Sequence, residues 1–198
     1  MSDSSYVATM LAIAGSAPAE RHRRLVEWHG GLVQSYGERL RQLTDADAGR
    51  ITTDGRTLAL VVGHITGWDT WFIQAAGEVL AGCPWPDIME LRGYLGLDGE
   101  RCGYSTIDEF NASQARLQGG WTWGRIRDQA LSTSATLLAL YATPGLLTPD
   151  RLEATRDYAW ALGPGQRTPM PVGWFLWGTA LEHMAFDHAE DLGLTAVH

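Results

Sequence analysis

Apolar residues recur at alternating steps of three and four in four long stretches of this chain, and no alternation of period two persists anywhere. That spacing lays one stripe along a helix. The first stretch opens at Pro18, suited to a first helical position, and runs to about Thr44 with Leu25, Trp28, Leu32, Tyr36, Leu40 and Leu43 on its stripe. The second covers about Arg56 to Ala81, carrying Leu58, Val61, Ile65, Trp68, Phe72 and Val79, and is ended by Gly82 and Pro84. The third, about Thr122 to Tyr141, uses Trp123, Ile126, Ala130, Leu137 and Tyr141; the fourth runs from Val172 to about Leu192. Residues 84–103 are rich in Gly and Pro but still apolar, so they read as a crossover packed over one end of the assembly. Short helices are expected after Ser105 and after the Thr148–Pro149 pair, whereas GPGQRTPMP reads as a loop. These features predict an all-α, four-helix bundle with a long crossover and short extra helices, in one domain of 198 residues.

Composition excludes several functions. A net charge of −8 leaves no basic face for phosphates, so nucleic acid is not expected as a partner. No apolar run reaches the roughly 18 residues that a membrane span needs. The opening MSDSSYVATMLAIAGSAPAE has a short apolar patch but no basic segment before it, and reads as a lead-in helix rather than a signal. Cys83 and Cys102 are not in a C-x-x-C spacing and read as reduced thiols of a cytoplasmic protein.

Chemistry concentrates on two stripes. His64 lies in LALVVGHITGWDTWF, and His183 and Asp187 lie in WFLWGTALEHMAFDH. Positions i and i+4 share a helix face, so His183 and Asp187 point the same way. Stepping from Leu176 through Thr179 to His183, Asp187 and Glu190, an apolar face turns into imidazole and carboxylate. Buried unpaired, those groups would cost several kcal/mol. With His64 from a neighbouring helix they make a metal-ligand set of two imidazoles and one carboxylate, for which zinc, nickel, iron and manganese all qualify. Glu190 is a fourth ligand or a catalytic base. His188, about 140° round an α-helix from His183, falls on the flank. His22, His29 and His198 read as solvated.

The arrangement resembles the DinB-like superfamily, which includes YfiT-like metal hydrolases, mycothiol and bacillithiol S-transferases, mycothiol-dependent maleylpyruvate isomerase and ClbS/DfsB-type four-helix bundles. GHITGWDTWF resembles the family's H-x-x-G-W segment in the second helix. EHMAFDHAEDL resembles its final-helix segment, where ligands stand four apart, and STIDEFNASQARL resembles the helix after the crossover. The resemblance spans roughly residues 20–192. It implies an up-down-down-up bundle with an ion held by His64, His183 and Asp187. Members usually carry His where this chain has Asp187, and ClbS-like members lack the full histidine set.

The resemblance implies a metal-dependent enzyme. A low-molecular-weight thiol such as mycothiol would be transferred to a small electrophile, or assist an isomerisation, beside a pocket lined by Trp68, Trp71, Tyr104 and Trp174. Trp68, Trp71 and Arg125 are the expected cofactor contacts, and Asn111 with Glu190 the expected catalytic groups. Two alternatives stand beside it. One is a ClbS/DfsB-like hydrolase or binding protein giving self-resistance to a reactive natural product. The other is a non-catalytic, homodimeric bundle.

Overall fold

The computed structural model describes residues 10–96, 99–163 and 166–194. The lead-in stretch is helical over residues 10–14, and its earlier part lies outside the described residues. Helix α1 (Pro18–Gln42) starts on its proline and buries Leu25, Leu32, Tyr36 and Leu40. Thr44 then caps a short α2 (Asp45–Ala48) in a reciprocal capping box with Asp47. Helix α3 (Leu58–Leu80) is capped by the Thr57 side chain and stops where Gly82 adopts a positive φ of 88°.

The crossover is built rather than loose. It contains a 3₁₀ turn (Asp87–Glu90) and a two-strand ribbon, β1 (Tyr94–Leu95) and β2 (Arg101–Cys102). Helix α4 (Ile107–Gln118) is capped by Thr106, one residue beyond the expected Ser105. Helix α5 (Trp123–Ala142) and the short α6 (Pro149–Glu153) take their caps from Thr122 and Thr148.

GPGQRTPMP is not simply a loop. It belongs to an antiparallel hairpin of β3 (Asp157–Gly163) and β4 (Gln166–Pro171), pairing Tyr158 with Met170 and Trp160 with Thr168. The alternation is real but short: Tyr158 and Trp160 share one face of β3. They pack on the following helix, α7 (Val172–Glu182), with ring centroids 4.3 Å (Tyr158) and 5.7 Å (Trp160) from Phe175. A Cβ on Gly178 would sit 2.4 Å from the Trp160 ring, so only glycine leaves room for it. The last expected helix is also interrupted. After α7, residues His183–Asp187 form a π-helical turn, and α8 (Ala189–Leu192) finishes the segment.

Helix α5 packs against α1 and α3, and α3 packs in turn against α7. Tyr141 of α5 stacks on Trp177 of α7 at 4.0 Å, and the Trp177 indole donates to His29 of α1. Trp71, Trp177, Tyr36, Leu40 and Ile65 are all sealed from solvent. Complete burial of a large apolar side chain contributes about 1.5–3 kcal/mol. Helix α4 lies against α3 through two glutamines. The Gln118 amide donates to the Gly63 carbonyl at 2.8 Å, and a Cβ at Gly63 would fall 2.3 Å from the Gln118 oxygen. Gly67 plays the same part for Gln114, which accepts a hydrogen bond from Tyr94. The glycines of GHITG thus bring α4, and Asn111 with it, close to His64. Among the described residues no helix is long and apolar enough to cross a membrane.

Candidate metal centre and its cavity

His64 sits one and a half turns into α3, on the side that meets the last helical segment. There it faces His183 and His188. Each of the three offers a ring nitrogen within 4.8 Å of the others. The rings are steeply inclined, with centroids 4.7 Å (His64–His183), 5.2 Å (His64–His188) and 4.9 Å (His183–His188) apart. The π turn makes this possible. Its i→i+5 bonding widens the helix by one residue, so that His188 returns over His183. On a regular α-helix it would stand well off that face.

Asp187 takes a different place from the one expected. It lies outside the cluster, exposed, with its carboxylate 3.3 Å from His183 Nδ1. A carboxylate there fixes the ring so that Nε2 is the free nitrogen. His183 Nε2 is fully buried and has no hydrogen-bond partner among the described residues. His188 Nδ1 is buried without a hydrogen bond as well; Asp191 stands 3.7 Å away, close enough for attraction but too far to bond.

Burial keeps two of these rings, His64 and His188, neutral. Burial, then the neighbouring His183 and His188, lowers His64 to about 3. Burial, then His183 and Arg56, lowers His188 to about 4. Neutral imidazole is the form that binds a metal ion. Beside the cluster, burial and then Asp187 raise Glu182 to about 7, a titratable carboxyl that sequence reading did not single out.

The cluster opens on a cavity of about 440 Å³ whose walls include His64, His183, Trp68, Phe72, Phe175 and Asn111. Trp68 is therefore a wall residue, and its indole donates to Asn111 Oδ1 at 3.0 Å. Other expected residues lie elsewhere. Trp71 is core, stacked on Trp68 and packed on Phe110. Tyr104 packs beside Trp71 and Tyr94 under the crossover. Trp174 donates to Glu153 at 2.8 Å and lies under the Arg21 guanidinium. Arg125 is exposed, its guanidinium 4.0 Å above Trp121. Glu190 is exposed in the first turn of α8 and lines neither the cluster nor the cavity. His29, expected in solvent, is only 1 % exposed; burial lowers it to about 3. His22 is half-buried against the Leu147 carbonyl, and His198 lies outside the described residues.

No family model matches the chain, and no curated protein matches it in sequence. Among solved structures, it is similar to a mutant of the mycothiol-dependent maleylpyruvate isomerase. The identity is 15 % and the TM-score 0.60, over 89 % of this chain and 62 % of that one. The chain thus shares the helical-bundle fold of that isomerase. The chain spans about three fifths of the length of that isomerase.

Proposed function

We propose that this protein is a metal-dependent enzyme that activates a low-molecular-weight thiol of the mycothiol type for attack on a small electrophile, by S-transfer or isomerisation. The observation that carries the reading is the buried, unpartnered Nε2 of His183 facing the imidazoles of His64 and His188. A buried nitrogen lone pair without a donor is costly, and a divalent ion is the group that would satisfy all three rings together. His64, His183 and His188 would hold it. Three nitrogen ligands leave positions open, as catalytic sites require. A bound ion of this kind lowers the pKa of a coordinated thiol or water towards neutrality.

The chain's own residues supply the rest. Asp187 holds the His183 ring in the tautomer that keeps Nε2 free. Asn111 lines the cavity, and because its Oδ1 accepts from the Trp68 indole, its amide N–H is the group it has left to donate to a substrate oxygen. Phe72, Phe175 and Leu176 exclude water from the wall opposite. A cytoplasmic location belongs to the same proposal, because a reduced thiol cosubstrate is kept there.

The similarity to a mycothiol-dependent isomerase favours thiol over water as the nucleophile. The test is metal content of protein purified without an affinity tag, followed by turnover of a generic electrophile with and without a thiol. Stoichiometric metal lost in both His64→Ala and His183→Ala, with helicity intact, supports the reading. Full occupancy in either variant ends it. Turnover without any thiol would transfer the protein to the hydrolases.

A further inference from the structure

His64 borders a second cavity as well, of about 270 Å³, between the start of α3 and α4. Leu60 and His64 stand four apart on α3, and Arg56 stands four before Leu60, just ahead of the Thr57 cap. Steps of four follow one helix face. Imidazole and guanidinium therefore border the same space, whose other walls include the apolar Leu60, Ala112 and Ala115.

Arg56 is held by a tight turn. Its Nε donates to Asp54 Oδ2 at 2.5 Å, and Nη2 pairs with the same oxygen. Asp54 is fixed in turn by the Thr52 hydroxyl at 2.6 Å and by the backbone N–H of Arg56 at 3.1 Å. One edge of the guanidinium is thus taken, while Nη1 makes no hydrogen bond among the described residues. Asp54 does not line the cavity, so the cation is the member of this pair that borders it. Its charge reaches the cluster: after burial and the neighbouring rings, Arg56 adds to the lowering of both His64 and His188. A guanidinium with a donor to spare, in a mostly apolar wall, binds a carboxylate by a charge-assisted hydrogen bond.

We infer that this second cavity seats the carboxylate of a small molecule whose other end is presented to the histidine cluster, with Arg56 as the specificity-determining residue. This deepens the proposed function by giving one of its two reactants a negative charge, and rests on that function for the ion alone. The carboxylate is the shared chemistry, whether the thiol or the electrophile brings it.

Binding is measured by calorimetry on zinc-loaded and on metal-free protein, with the zinc content of each sample determined. Two pairs of probes separate the sources: 6-mercaptohexanoate and its amide for the thiol, 6-oxoheptanoate and its amide for the electrophile. On zinc-loaded protein the acid of at least one pair should bind about tenfold or more tightly than its amide, as a hydrogen bond between ions implies. Arg56→Gln breaks an ion pair at the surface, so the fold survives it. It should remove most of the preference and leave zinc content and amide binding unchanged. Arg56→Lys should retain part of the preference, as charge without the planar fork. Arg23→Gln takes the same charge from an exposed position on α1 and should leave the preference in place. Acid and amide binding alike in both pairs overturns the inference, as does a preference that Arg23→Gln lowers as much as Arg56→Gln. With stoichiometric zinc, either result leaves the metal reading standing. An acid preference that depends on Arg56, in protein that takes up no zinc, would keep the carboxylate seat and end the metal reading.

Discussion

The imidazoles of His183 and His188 stand 4.9 Å apart at 85° to one another, five residues apart on a segment that is π-helical between them. The extra residue has two effects. It brings the second ring back over the first, and it moves Asp187 from the ligand position to the outer side of His183. A π turn forgoes regular i→i+4 bonding, and such turns concentrate at functional sites.

Replacing His188 and Asp187 separately tells their roles apart. His188→Ala should abolish stoichiometric metal. Asp187→Asn, which keeps a weaker acceptor on His183 Nδ1, should weaken metal binding about 10–100-fold without abolishing it. Titration of the purified variants with zinc under a competing chelator measures both. If Asp187→Asn loses as much as His188→Ala, the carboxylate is itself a ligand.

Asp69 provides a pH signature of its own, on α3 but outside the histidine cluster. It is 1 % exposed on α3, neither oxygen has a hydrogen-bond partner, and burial raises it from 3.8 to about 8. Tyr36 faces it from α1, its hydroxyl also unpartnered and pushed well above its usual range by burial and by Asp69. Between about pH 4 and pH 8 the folded protein holds a proton on Asp69 that the unfolded chain has released. Stability therefore falls as pH rises across that window. Asp69→Asn keeps the shape of the protonated acid without the titration. It should stabilise the protein at pH 7 by on the order of 3 kcal/mol and flatten its pH dependence. Urea unfolding at pH 5 and pH 8 checks this; parallel shifts at both values would remove Asp69 as the cause.

The four long helices were legible because their apolar spacing runs for many turns and most begin at a proline or a threonine cap. The hairpin was not. Its strands hold Pro169, Pro171 and Gly163, and only Tyr158 and Trp160 carry the alternating signal. His64 and His183 could be placed from α-helical geometry, and they meet as that geometry implies. His188 could not, since EHMAFDH contains no proline or glycine to announce a change of helical pitch. Trp71 and Trp174 show a further limit. Position on a stripe tells that a ring is inward, not whether it borders a cavity or another side chain.

Gly63 tests how the cavity wall is held. A Cβ there would lie 2.3 Å from the oxygen of Gln118, whose amide is already committed to the Gly63 carbonyl. Gly63→Ala must push α4 outwards and should cost about 1–3 kcal/mol, the range for overpacking a well-filled contact. Unchanged stability would mean that Gln118 swings aside and that the glycine is not what seats the helix.

Metal should also appear as stability. The three imidazoles come from α3 and from the π turn with its following residue, so an ion held by all of them ties the middle of the bundle to its last segment. Ligand at 100 times its dissociation constant stabilises a folded protein by about 2.7 kcal/mol. For a domain of 198 residues that corresponds to a rise in Tm of roughly 5–11 °C. Thermal unfolding after exhaustive chelation, and again after adding back one equivalent excess of zinc, nickel, iron(II) or manganese(II), ranks the ions by the size of the rise. The same series on His64→Ala should show no rise with any of them, because its remaining pair of imidazoles lies on one segment alone. A rise of equal size in that variant would place the stabilising ion somewhere other than the histidine cluster.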